Sequence, residues 1–193
     1  MDYSAALQAF EDRERALITD NIRSYGVHLT YVAPDLEEGE CLQCRELGEE
    51  SPGGGDHVAD VLGGPERLPP RLEQPFCYTT GLHGIGHPEL LVLGLARDLS
   101  THLLNMVAQQ VTGHHQDLMP GQLVPRIGLR ILVEEIPNPG MVIFRANDYY
   151  DRSLVDSVPA YQLTWADPDG RFPWEKGHVS GAWGQPRPGT YRA

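Results

Sequence analysis

The sequence predicts an α+β domain: a mainly antiparallel sheet covered by two or three helices. Three observations point there. Strand-like runs outnumber helix-like runs. Few strand–helix–strand crossovers are visible, and parallel sheets need them. Two almost wholly apolar runs, residues 76–80 and 89–93, flank a loop rich in glycine and histidine, and such runs fill the middle of a sheet. The chain has 193 residues, 40% of them hydrophobic, which suits one domain with a substantial core. No internal repeat divides it.

Residues 3–24 predict an amphipathic helix. Leu7, Phe10, Leu17, Ile18 and Ile22 recur at roughly helical spacing, and residues 11–15 are all charged and supply the wet face. Glu11 and Arg15 are four apart in the favourable order, and Gly26 stops the helix. Covering one face of the sheet is its simplest role, with a partner interface as the second. Residues 27–32 alternate, Val27, Leu29 and Tyr31 against His28, Thr30 and Val32, so they form a strand.

Residues 34–75 change character. They hold 11 acidic residues and three arginines, and so supply −8 of the net charge of −12. With Gly53-Gly54-Gly55, Gly63-Gly64 and Pro69-Pro70 they bury little apolar surface, which describes a loop inserted into a single domain of residues 1–180.

Phe76-Cys77-Tyr78-Thr79-Thr80 is aromatic and β-branched, a strand. Glu89-Leu90-Leu91-Val92-Leu93 is too short for a helix and reads as a strand buried on both faces. Between them Gly81, Gly84, Gly86 and Pro88 break regular structure. Residues 97–113 predict the second helix. Asp98 or Ser100 would cap it. Leu99, Leu103, Val107 and Val111, with Leu104 and Ala108, would line its buried stripe, and Gly113 would stop it. His114 and His115 then sit where the helix dipole favours positive charge.

Residues 127–134 alternate as a strand. Asn138-Pro139 reads as a cap and first position of a short helix burying Met141, Phe144 and Tyr149, although residues 142–144 also fit a strand. Residues 160–165 are the last strand, with Tyr161, Leu163 and Trp165 on one face, and Asp167-Pro168-Asp169-Gly170 turns the chain. After Gly177 the chain is rich in glycine and proline. Residues 181–193 read as a tail, with Trp183 as the residue to pin it.

The charge balance, 15 basic against 27 acidic residues, argues against nucleic acid and against an anionic membrane. No run of about 18 apolar residues exists. Met1-Asp2-Tyr3-Ser4 is acidic where a signal peptide is basic, so a cytoplasmic protein is expected. Partners left open are a small-molecule ligand and a second copy of the chain. Cys41, Cys44 and Cys77 make no disulfide framework. Cys77 suits the core.

The chemistry concentrates in the 81–89 loop. His83 and His87 are a metal-binding pair on a helix, but the glycines between them argue for a loop, where Glu89 or Asp148 would add oxygen. Alternatively His87 moves a proton, with Glu89 setting its tautomer and Tyr78 donating from its phenol. A third reading has His87 hold the loop by bonding backbone carbonyls. Cys41, Cys44 and His57 resemble part of a zinc knuckle, with Cys77, His83 or His87 as fourth ligand. The second C-x-x-C of such a site is absent. Asp167, Asp169, Arg171 and Trp174 form either an anionic-aromatic site or a turn that Phe172 and Trp174 fold onto the core.

Tyr78-Thr79-Thr80-Gly81-Leu82, followed by Gly86-His87-Pro88-Glu89-Leu90, resembles the bacterial DUF4262 family. Its members carry a tyrosine–threonine–x–glycine–leucine motif and then a histidine–proline–glutamate–leucine motif. Residues 162–165 and 169–174 are also similar to it. The resemblance extends loosely over residues 24–33 and 75–180. It implies one domain and names no reaction.

Two functions are therefore expected. One is a small-molecule-binding protein, or enzyme, with acid–base chemistry such as cyclisation, isomerisation or elimination, or metal-assisted chemistry, at the 81–89 loop. The other is a non-catalytic interaction or immunity-type protein whose acidic loop docks on a basic surface. A flavin-binding sheet protein is a third possibility.

Overall fold

The computed structural model describes residues 3–33, 69–124 and 129–193. Among the described residues there are three α-helices: α1 (Tyr3–Tyr25), α2 (Arg97–His114) and α3 (Phe144–Tyr149). Six strands form one sheet: β1 (His28–Val32), β2 (Phe76–Thr80), β3 (Glu89–Leu93), β4 (Leu123–Val124), β5 (Ile131–Glu135) and β6 (Ala160–Trp165). Most of the acidic 34–75 stretch, with Cys41, Cys44 and His57, lies outside the described residues.

The sheet order is β1-β2-β3-β6-β5-β4. It consists of two antiparallel meanders laid side by side. Within each, neighbours are antiparallel. The seam between them, β3 against β6, is the one parallel pairing. Burial follows from this order. β2 and β3 are buried at every position and β6 at all but one, because helices or loops cover both faces of the central strands.

On one face, α2 lays Leu103, Leu104, Val107, Ala108 and Val111 against Cys77, Leu90, Val92, Ile131, Val133 and Leu163. On the other, α3 and the turn before it pack Val142, Ile143 and Ala146 on Phe76, Tyr78, Leu91 and Leu93. Tyr161, Leu163 and Trp165 share the α2 face, as their alternation requires.

Several local expectations change. α2 is not capped by a side chain. Ser100 is buried and its hydroxyl donates to the Leu95 carbonyl, and Leu99 faces solvent at 60% exposure. Gly113 lies inside the helix, and His115 instead takes the left-handed C-terminal conformation at φ 52°. β5 begins at Ile131, after Leu129 and Arg130. β4 has two residues, too few to show a period. The short helix is split, a 3-10 turn at Pro139–Met141 and then α3, and its buried residues are Val142, Ile143, Ala146 and Asn147 instead of Met141, Phe144 and Tyr149. The split rotates the inward face by leaving residues 142 and 143 outside both helices.

The last residues run back over the α3 face. Tyr191 is buried and its hydroxyl donates to Gln162 Oε1 at 2.6 Å. The Gln185 amide bonds both backbone groups of Trp165, accepting from N–H at 3.0 Å and donating to C=O at 2.8 Å. Trp183 is more exposed, at 37%.

Gly140 fixes the path into α3, because a Cβ there would lie 1.9 Å from the Leu154 carbonyl oxygen. Gly140→Ala is expected to lower stability by at least about 2 kcal/mol through this overlap, read as the shift in a urea unfolding curve.

Candidate functional site

Glu89 opens β3 and is fully buried. Its carboxylate Oε1 accepts from the Gly81 N–H at 2.8 Å and the His83 N–H at 3.0 Å. Oε2 accepts from the Thr79 hydroxyl at 2.5 Å. Thr79 Oγ1 in turn accepts from the Leu90 N–H at 2.8 Å, which directs its proton to Glu89. Among the described residues no cation pairs with this carboxylate. Three donors replace water around a buried negative group, the condition for keeping it there. They also fasten the start of the loop to the start of the strand after it.

Gly81 makes this possible at φ +139°. It sits against the turn after α1, and a Cβ would meet the Gly26 carbonyl oxygen at 3.0 Å and Ile22 Cγ1 at 3.2 Å. After Leu82 the chain makes one 3-10 turn, His83–Ile85, closed by Gly86 at φ 86°.

His87 then enters the interior, 3% exposed. Its Nδ1 lies 2.6 Å from the Pro88 carbonyl, which only accepts, and its Nε2 lies 3.1 Å from the Leu118 N–H, which only donates. These partners fix the neutral ring with the proton on Nδ1. Tyr161 stands edge-on to it at 5.8 Å. Both ring nitrogens are thus committed to backbone, and His87 and Glu89 have no hydrogen-bond partner in common.

His83 is different. It is half-buried, its ring nitrogens bond to none of the described residues, and its ring stands edge-on to Tyr150 with centroids 4.8 Å apart. Tyr150 Oη accepts from the Gly84 N–H at 3.1 Å. Burial, reinforced by the Glu89 charge, pushes the Tyr150 phenol up to about 12, so it stays protonated. Its proton donates to none of the described residues. Tyr149 follows edge-on to Tyr150 at 5.0 Å.

Tyr78 lies beneath α3, 2% exposed, and accepts from the Arg145 N–H at 3.1 Å. Burial pushes its phenol up to about 12. The structure therefore brings His83 and Glu89 together through the loop backbone, places Tyr150 beside them, and keeps Tyr78 and His87 in the packed interior. Thr80 is also fully buried, and its hydroxyl has no hydrogen-bond partner among the described residues.

Among the described residues no three His, Cys, Asp or Glu side chains converge in a way that would hold a metal ion. Of four grooves among the described residues, none is lined by His83, His87 or Glu89. One of about 580 Å³ separates α1 from α3 and is lined by Arg15, Arg145, Asp148 and Tyr149 among others.

At the 167–174 turn, Asp167 is buried and accepts from the Arg171 and Val179 N–H groups. These bonds hold its carboxyl below the usual range. Arg171 pairs with Asp169 at 2.7 Å. Phe172 closes the core, and Trp174 stacks on it at 5.0 Å with Arg187 over its other face at 4.2 Å. Both the acids and the aromatics are occupied with the turn.

Sequence reasoning took Tyr149 only as a buried residue of the short helix and did not reach Tyr150, since no period marks a pair of tyrosines at the end of a one-and-a-half-turn helix. Thr79 was within reach. The β2–β3 pairing of Tyr78 with Leu91 and Cys77 with Val92, continued to the strand ends, brings residues 79 and 80 beside Glu89.

Fold and site together define a single-domain α+β protein built around a loop pinned by a buried carboxylate. The chain matches DUF4262, a domain of unknown function, over residues 55–179, and it belongs to that family. No curated protein and no solved structure matches it.

Two outcomes are expected. Glu89→Gln removes the charge from two N–H bonds and reverses the sense of the Thr79 contact, so stability should fall by about 2 kcal/mol in chemical denaturation. His28 accepts from the Asn21 amide at 2.9 Å, and burial lowers its pKa against an opposing pull from Glu14. The unfolded chain then binds a proton near pH 6.5 that the folded chain refuses, so stability should be complete above that pH and decline as it falls through 6.5. Thermal unfolding of His28→Gln should show that decline flattened.

Proposed function

We propose that the protein binds a small molecule at the corner formed by His83 and Tyr150, and that His83 exchanges a proton with it. One observation carries this reading. The His83 ring nitrogens bond to none of the described residues while its own backbone is tied to a buried carboxylate. An imidazole titrates near neutrality and serves as donor or acceptor. Tyr150, kept protonated, supplies a neutral hydrogen-bond donor beside it. Glu89 takes no proton in this scheme. It is a positioning residue that holds the Gly81 and His83 backbone and adds negative potential to the corner.

The chemistry this pair suits is acid–base: moving a proton on a ligand that carries an acceptor for the Tyr150 hydroxyl, as in isomerisation or elimination. The acid–base version has more support than the metal-assisted one, because His87 has both nitrogens engaged and the described residues gather no ligand set.

A ligand screen by thermal shift tests it. Compounds that raise the melting temperature of the wild type should lose that effect in His83→Ala and weaken in Tyr150→Phe, each shift being measured against the same variant without compound. Full retention of the shift in both variants would place binding elsewhere.

A further inference from the structure

The first four turns of α1 bury almost nothing. From Ala5 to Leu17 every side chain is exposed except Glu14, which is half-buried. The apolar residues expected to face the sheet point outward, with Leu7 at 48%, Phe10 at 50% and Leu17 at 57% exposure. Apolar anchoring starts at Ile18, 7% exposed, followed by Ile22 against the Gly81 site. What ties residues 5–17 to the domain is polar. Glu14 pairs with Arg145 at 2.6 Å, and Arg15 pairs with Asp151 at 2.6 Å, bonds the Asp148 carbonyl, and lies over the Tyr149 ring at 5.6 Å. These groups are largely solvent-exposed, so the ties are weak. Between this arm and α3 the groove of about 580 Å³ is left unfilled. The arm also lies outside the family match at residues 55–179.

From these observations we infer that residues 5–17 are a detachable wall of the α1–α3 groove. They open by unwinding as far as Ile18 while the sheet and α2 stay folded. A helix of about this length is marginal in water without packing, and segments with few buried contacts open locally. Opening uncovers Tyr149, which is half-buried beside Arg15 and leads edge-on to Tyr150. The inference does not depend on the ligand reading of the His83 corner.

Amide hydrogen exchange on the full chain, resolved by peptide, tests it. Residues 5–17 should exchange about a hundredfold faster than residues 103–111. The double variant Arg145→Ala and Asp151→Ala, which removes the partners of Glu14 and Arg15, should speed exchange at 5–17 by about threefold or more and leave 103–111 unchanged. Salt at about 1 M should do the same to the wild type. The direction discriminates. Neither position lies in α1, so simple end-fraying predicts unchanged exchange in the variant, and only a lost tether predicts faster. Protection at 5–17 equal to that of α2, or exchange that the variant leaves unchanged or slows, overturns the inference.

Discussion

A carboxylate sealed from water without a cation must collect hydrogen-bond donors, and Glu89 collects them from three places in the chain: the end of β2, the turn beyond it, and the 3-10 segment that follows. That demand shapes its surroundings. The chain must bend back on itself within eight residues, which requires Gly81 in a conformation other residues avoid. The same bend brings β2 and β3 into register and sets β3 in place for the parallel seam with β6. Leaving any of the three donors unpaired would cost about 1–3 kcal/mol, so the loop is held as a unit.

His87 extends the same logic to a second layer. Its ring bridges Pro88, just before β3, and Leu118, in the segment after α2. One histidine thus ties the central loop to the covering layer on one face, and α3 ties the opposite face through the backbone of Arg145 on Tyr78. The two rings of the loop differ: the inner one is spent on backbone, and the nitrogens of the outer one bond to none of the described residues.

The sheet and α2 were readable because their patterns are long. The runs at 76–80, 89–93 and 160–165 hold continuous or alternating apolar character that only strands satisfy. Elements of two to six residues, β4 and α3, complete no period, and tertiary packing sets their inward faces. In α1 the spacing of Leu7, Phe10, Leu17, Ile18 and Ile22 predicted a helix, which exists, and a buried face, which exists only from Ile18 onward. Periodicity reports the conformation of a segment. It does not report what lies opposite. The site was legible as a loop and as Glu89 and His83, but the assignment of roles depended on which ring nitrogens meet backbone groups, and no spacing encodes that.

The Gln185 amide occupies a position beside Trp165 where a neighbouring strand would otherwise stand. β3 pairs with only the first half of β6, so the second half has a gap in its ladder, and a side chain fills it with one donor and one acceptor. Without that plug, Trp165 would present bare main-chain groups of the kind that recruit foreign strands. Gln185 therefore completes the main-chain hydrogen bonding of Trp165 where β3 no longer accompanies β6.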